Sequence, residues 1–310
     1  MKNILIIGGR GYIGSKMYEE LSKEHNVSVM DLCWFNEANS NTIVSDFGNM
    51  DKEFYSKYES IILLAGHSSV KMCEGNLQYS YENNVRNFIN LLSNLTNKQQ
   101  LIYASSSSVY GNAGENKVDE SYHDFIPHNH YDITKHVIDL YAPKFDIQYY
   151  GLRFGTVNGA SPHVRKDVMI NSMVYNAITD GEIKLFIKDI MRPILGINDL
   201  CRAVNKIINT NEDKRGIYNL ASFNKTAEQI ALGVSSILNI PIKEYVSDPT
   251  LIKNSKLETK SYNFSIDCNK FCDNFNFKFE DTIESITKSL IKDFYNIKFT
   301  DRANIKEYER

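Results

Sequence analysis

A tyrosine and a lysine four residues apart, Tyr131 and Lys135, carry the first chemical signal of this sequence. At that spacing both side chains lie on one helical face, so an ammonium can sit beside a phenol and favour its ionised form. A tyrosine so tuned can take a proton from an alcohol near neutral pH. Upstream, residues 103–111 read Tyr-Ala-Ser-Ser-Ser-Ser-Val-Tyr-Gly, and a serine at the end of that predicted strand can hold the same hydroxyl. Together the two segments outline an oxidoreductase site, which requires a hydride acceptor.

The start of the chain offers a place for one. Gly8-Gly9-Arg10-Gly11-Tyr12-Ile13-Gly14 follows the apolar run Asn3 to Ile7 and opens a segment with helical spacing at Ile13, Met17 and Leu21, which is the context a dinucleotide fingerprint needs. Gly8 permits the tight turn, Gly11 lets backbone approach a pyrophosphate, and Gly14 allows close helix packing, while the helix N-terminus favours the anion. Asp31 ends the second predicted strand, where a carboxylate can accept from both hydroxyls of an adenosine ribose and repel a 2′-phosphate. NAD is therefore favoured over NADP. Asp46, after the third strand, is placed to reach the adenine amino group.

Elements that position these groups alternate in the first half. Strands are read at 3–7, 27–31, 42–44, 60–65, 101–104 and 147–153, and helices at 12–23 and 77–95, the latter aligning Tyr81, Val85, Phe88, Leu92 and Leu95. The helix that begins near Tyr131 stops at about Tyr141, before Pro143. Beyond Gly159 the alternation fades, with helices at 168–179, 198–208, 226–238 and 280–295. This pattern predicts an α/β protein: a Rossmann-like doubly wound parallel sheet with a smaller mixed α/β substrate-binding domain. The first domain is expected over 1–165 plus about 194–222, and the second over about 166–193 and 223–310, with a cleft between them.

Composition narrows the function classes. The chain has 310 residues, 42% hydrophobic residues and a formal net charge of −3, with no long cluster of Lys and Arg, so the electrostatic signature of a nucleic-acid binder is missing. No run of eighteen apolar residues exists and the start reads as a buried strand, which argues against a membrane span or a signal peptide. Five scattered cysteines suit a reducing cytoplasm, and Cys268 and Cys272 have no second Cys or His pair nearby, so no metal site is expected.

The glycine loop, Asp31, the run Ser105 to Gly111, Tyr131 with Lys135, and Leu152-Arg153-Phe154 occur in the order seen in the extended short-chain dehydrogenase/reductase family. The chain resembles its nucleotide-sugar epimerases and dehydratases, and the likeness continues through residues 192–200, Tyr218-Asn219-Leu220 and Lys260-Ser261-Tyr262. By that resemblance Tyr131 is the general base, Lys135 lowers its pKa and grips the nicotinamide ribose, and Ser106 bridges the reacting hydroxyl. Gly8, Gly11, Tyr12, Ile13, Gly14, Asp31, Asp46, Ala65 and Asn84 join Tyr131 and Lys135 in the expected NAD site. Ser106, Ser107, Thr156, Asn158 and Arg192 form the expected substrate set, with Arg192 on the nucleotide diphosphate.

The resemblance implies oxidation at C4 of a UDP- or GDP-sugar, including heptoses, in precursor synthesis for a bacterial surface polysaccharide such as capsule. Returned hydride would make the enzyme a 4-epimerase and a departing ketone a 4-dehydrogenase. A homodimer through the 77–95 and 131–141 helices is also implied. Dehydratases of the family carry Asp-Glu where this chain has Ser107 and Ser108, which disfavours a 4,6-dehydratase. An epimerase-reductase would prefer NADPH and need a Cys and His pair in the cleft. Thr156 and Asn158 replace the usual Asn and Tyr, and Arg10 replaces a small residue, where its guanidinium is expected to contact a pyrophosphate. A non-catalytic nucleotide-binding sensor is the alternative of another class, against which retention of Tyr131 and Lys135 argues.

Overall fold

The apolar run at the N-terminus forms β1 (Asn3–Ile7), with Ile4, Leu5 and Ile6 fully buried because helices cover both faces of the sheet it enters. The computed structural model describes residues 1–114, 116–124, 126–245 and 262–300. A glycine turn leads into α1 (Tyr12–Leu21), followed by β2 (Asn26–Asp31), β3 (Thr42–Val44), α2 (Lys52–Tyr55) and β4 (Ser60–Leu63). The chain continues through α3 (Val70–Gly75), α4 (Leu77–Tyr81), α5 (Asn87–Asn94), β5 (Gln100–Ser106), β6 (Lys117–Val118), α6 (His130–Tyr141) and β7 (Gln148–Phe154).

Seven strands form one parallel sheet in the order β3-β2-β1-β4-β5-β7-β12, where β12 is Gly216–Leu220. From β1 the chain builds outward to β3 and then returns to lay β4 on the other side. The crevice beyond the carboxyl ends of β1 and β4 is thus a topological switch point, where ligands bind in such sheets. Side chains alternate between two cores: Ile4 and Ile6 pack with Met17 and Leu21, and Leu5 and Ile7 pack with Val85, Phe88 and Ile138. The helix read at 77–95 is one run interrupted by a π-turn over Glu82–Arg86. Tyr81, which the α-helical spacing places in the apolar stripe, is 50% exposed because the stripe is out of phase before that turn.

The second half supplies β8 (Thr156–Asn158), β9 (His163–Arg165), α7 (Met169–Asp180), β10 (Ile183–Leu185), β11 (Met191–Gly196), α8 (Ile197–Ile208), β13 (Phe223–Thr226), α9 (Ala227–Leu238) and a helix at Ile283–Lys292. That last helix is shorter than the 280–295 periodicity suggests, because Thr282 caps it in a reciprocal box with Ser285. β11 runs parallel to β8 and antiparallel to β13, which carries Arg192 to the cleft. Asp199 does not cap its own helix. Its buried carboxylate accepts from Ser222 Oγ at 2.6 Å and from the Glu280 and Asp281 amides at 3.0 and 2.9 Å, tying α8 to the segment before the last helix.

Candidate active site

A cleft of about 400 Å³ opens beyond β1 and β4, and its wall includes Gly8, Gly11, Tyr12, Ile13, Gly14, Asp31, Asp46 and Ala65. Gly8 has φ +90°, and a Cβ there would stand 2.5 Å from the Ala65 amide nitrogen. A Cβ on Gly14 would stand 2.1 Å from the Gly8 carbonyl oxygen. Only glycine fits either place, so the turn is stripped of side chains where α1 begins, and a dinucleotide's pyrophosphate can approach backbone amides there. Asp31 reaches the same wall while its oxygens accept from the Arg10 amide at 2.8 Å and the Cys33 amide at 2.7 Å. These residues fit NAD, with Asp31 at the ribose end.

Across the cleft stand Ser106, Ser107, Ser108, Tyr131 and Lys135. Asn129 caps α6 by accepting from the Asp132 amide at 2.9 Å, and the first two turns of that helix present Tyr131 and Lys135 to the strand end of β5. Lys135 Nζ donates to the Ala104 carbonyl at 2.6 Å and lies 5.9 Å from the Tyr131 ring centre. Burial pulls Lys135 down to about 8. Burial also drives Tyr131 up to about 12, and hydrogen bonding with Ser106 is the leading influence in the other direction. The sequence assigned that downward pull to Lys135. In the structure the ammonium is turned towards the Ala104 carbonyl beside the Tyr131 ring, and desolvation of the phenol outweighs its neighbours.

Beneath the serines lies a buried polar layer. Asp139 accepts from Tyr103 OH at 3.1 Å, Ser105 Oγ at 2.9 Å and Arg153 Nε at 2.8 Å, and Arg153 Nη1 meets Tyr110 OH at 2.8 Å. Neighbouring charge raises Arg153 against the cost of its burial. The layer locks β5, α6 and β7 in one register under the candidate site.

Other sequence-predicted residues divide. Thr156 and Arg192 line the cleft with the serines, and burial lowers Arg192 to about 10. Arg192 Nη1 donates to the Tyr262 carbonyl and, at 3.1 Å, to the Met191 carbonyl. Asn84 and Asn158 stand off the wall. Asn84 accepts from the His67 amide at 2.8 Å and donates to Thr134 Oγ1 at 3.2 Å, bracing the loop after β4 against α6. Asn158 is fully buried and accepts from the Ile170 amide at 2.8 Å, so its side chain organises the start of α7. Arg10 does not line the cleft; its Nε donates to the Glu37 carbonyl at 3.1 Å. Lys260 and Ser261 lie outside the described residues.

The sequence reading missed several wall residues. Arg165, paired with Asp167 at 2.5 Å, faces the cleft from β9 and exerts a downward pull on Tyr131. Its segment has no periodicity to flag it. Trp34, Asn83 and Tyr262 also line the cleft, and the single tryptophan of the chain, three residues after Asp31, was the signal available. His67 is buried between Trp34 and Tyr79, each 5.3 Å away, and burial lowers it to about 4.

Comparison with known proteins adds to this geometry. The model of the NAD dependent epimerase/dehydratase family matches residues 4–221. An ADP-L-glycero-D-manno-heptose-6-epimerase of Brachyspira hyodysenteriae is 26% identical over 279 residues, covering 81% of this chain and 86% of that protein. A UDP-glucose 4-epimerase of Lactobacillus helveticus is 31% identical over 208 residues, 59% of this chain and 62% of that one. In fold, the chain is similar to UDP-glucuronic acid 4-epimerase from Bacillus cereus, solved with UDP-glucuronic acid and NAD, at a TM-score of 0.80 and 21% identity over 94% of this chain and all of that one.

Proposed function

Because this chain belongs to the NAD dependent epimerase/dehydratase family and is an NAD-dependent enzyme, we propose that it oxidises the C4 hydroxyl of a nucleotide-diphosphate sugar. One observation carries the reading: Ser106, Tyr131 and Lys135 converge on the cleft that holds the glycine turn and Asp31, with Arg192 on the same wall. NAD bound along Gly8 to Gly14 supplies the hydride acceptor. Tyr131, once ionised, takes the proton of the sugar hydroxyl at its phenol oxygen, while Ser106 Oγ orients that hydroxyl. Lys135 places a positive charge on the same helical face. Arg192 presents a guanidinium fork to the diphosphate, with Thr156 and Ser107 at the sugar. The ketone has two fates, giving a 4-epimerase if it is reduced on its other face and a 4-dehydrogenase if it leaves.

A second reading is favoured by the heptose-6-epimerase relative, whose match spans most of both chains. In that reading the same tyrosine and lysine serve the C6 position of an ADP-heptose. The experiment is a panel of UDP-, GDP-, dTDP- and ADP-linked hexoses and heptoses, monitored by reduced-nicotinamide absorbance and by NMR of the sugar. A C4 stereoisomer or 4-keto product supports the first reading, and a C6 stereoisomer replaces it with the second. Full biological activity of Tyr131→Phe would instead revive a nucleotide sensor.

We place the reaction in the cytoplasm, in synthesis of surface-polysaccharide precursors; the free state of all five cysteines suits a reducing compartment. No helix among the described residues is long and apolar enough to cross a membrane. A homodimer through α4, α5 and α6 is supported by the exposed apolar side chains of Leu77, Tyr81, Ile133, Leu140 and Tyr141.

A further inference from the structure

Three cations stand on the cleft wall among the described residues: Lys135, Arg165 and Arg192. Lys135 is bonded to the Ala104 carbonyl beside Tyr131, and Arg192 to the Tyr262 and Met191 carbonyls. Arg165 enters from the second half of the chain, and its contacts lie about the glycine turn. Asn171, fully buried, accepts from the Gly159 amide at 2.9 Å and donates to the Arg165 carbonyl at 2.9 Å and to Tyr12 OH at 3.1 Å. Tyr12 OH spends its own hydrogen on the Gly159 carbonyl at 2.8 Å. Since Tyr12 opens α1 directly after Gly11, one carboxamide ties the backbone of Arg165 to a flank of the turn.

The head of the side chain reaches the opposite flank. Nη1 donates to the Ser68 carbonyl at 3.5 Å, in the loop that leaves β4 through Ala65, the residue against which Gly8 is packed. Nε and Nη2 are taken by Asp167 at 3.0 and 2.5 Å, which fixes the plane of the guanidinium. The Nη1 edge is left with a long contact, short of a strong acceptor. A brace for β9 needs the Asp167 pair alone. That pair joins near neighbours in the chain, and it explains neither the tether through Asn171 to Tyr12 nor the place of Arg165 on the cleft wall.

Charge gives the position its use. A dinucleotide pyrophosphate is an anion, and the turn offers it only neutral amides and the N-terminus of α1. The acidic groups of the same wall, Asp31 and Asp46, add to the negative side. Arg10, the cation within the turn, is directed to the Glu37 carbonyl and stands off the cleft. We propose that Arg165 supplies the cation for the NAD pyrophosphate, its Nη1 edge donating to phosphate oxygen, with Asp167 orienting the fork and Asn171 positioning its backbone against the turn. The charge that the sequence placed at Arg10 arrives instead from β9. Cofactor binding therefore engages β9 and the start of α7 as well as the turn from Gly8 to Gly14.

The proposal needs NAD at the turn and not the reaction proposed above, so the test is binding and not turnover. The full chain, freed of bound nucleotide, is titrated calorimetrically with NAD and with ADP-ribose, which keeps the pyrophosphate and lacks the nicotinamide. Adenosine, which has no phosphate, is titrated by ligand-observed NMR. Arg165→Met is expected to weaken NAD and ADP-ribose about tenfold or more and to leave adenosine unchanged. An NAD affinity equal to that of the wild type overturns the proposal. So does an equal loss for all three ligands, the mark of a loosened cleft. A loss confined to UDP and GDP, titrated into NAD-saturated protein, also overturns it and gives the guanidinium to the other diphosphate. Should Arg165→Met fail to fold, Asp167→Asn decides by its opposite sign: removal of the acidic neighbour is expected to tighten NAD severalfold, and an equal or weaker affinity overturns the proposal. Failure of the sugar panel with these titrations as expected would count against the reaction and not against Arg165.

Discussion

Lys135 reaches across from α6 to the Ala104 carbonyl at 2.6 Å, so the strand that carries the serines also anchors the ammonium beside Tyr131. The lysine is a spacer between two elements as well as a charge.

With burial holding Lys135 near 8, its ammonium is present below that pH and lost above it. Turnover that needs the charge is expected to fall as pH rises through about 8. Lys135→Arg, which stays protonated, should lack that alkaline limb, and Lys135→Met should lose about 100-fold or more at every pH. A pH–rate profile of the three proteins on the accepted sugar checks this.

Gly14→Ala puts a methyl 2.1 Å from the Gly8 carbonyl oxygen, where backbone cannot give way cheaply. The variant is expected to lose NAD affinity at least tenfold and to unfold at lower temperature. Calorimetric titration with NAD and a thermal scan separate the two effects. Arg10→Ala, by contrast, should bind NAD like the wild type, because Arg10 points to Glu37.

Arg153→Leu strands the Asp139 carboxylate, which is 3% exposed, without its cation. Removing one partner of a buried pair costs about 3–5 kcal/mol. Urea unfolding should show a loss of unfolding free energy of that size, read from the midpoint and the slope together, and Asp139→Asn combined with Arg153→Leu should recover part of it.

His67 is neutral in the fold because burial holds it near 4, against an ordinary value of 6.5. Unfolding therefore takes up a proton below pH 6.5, and the contribution of the neutral ring is fully present above that value and lost as pH falls towards 4. The gap corresponds to about 3 kcal/mol. Stability curves between pH 7 and 4 should fall less steeply for His67→Gln than for the wild type.

Much of this was legible in the sequence. The parallel strands β1 to β5 and β7 announce themselves as apolar runs, since both sheet faces are covered, and three glycines at that spacing between a strand and a helix mark a turn that must stay free of side chains. Tyr131, Lys135 and Ser106 are readable because α-helical spacing and a strand end are local properties. Arg165 and Tyr262 were not. They reach the cleft through loops and short strands whose placement depends on contacts with distant residues, as in the donation from Arg192 to the Tyr262 carbonyl. Asn84 and Asn158 show the converse limit: a polar residue at a suggestive position can be spent on bracing its surroundings, and only its hydrogen-bond partners reveal it.

The π-turn at Glu82–Arg86 buries Asn83, Asn84 and Val85 in succession. In a regular α-helix three consecutive side chains fan across about 200° and cannot all face inward. The wider turn lets Asn83 meet the His67 ring at 3.2 Å and Asn84 its backbone, while Phe88 and Leu92 still fall into the core. The extra residue is thus a constraint on chain length, added to the side-chain identities of Asn83 and Asn84. A single-codon deletion between Tyr81 and Asn87 would rotate everything downstream by about 100° and force a choice between the asparagine brace and the packed face.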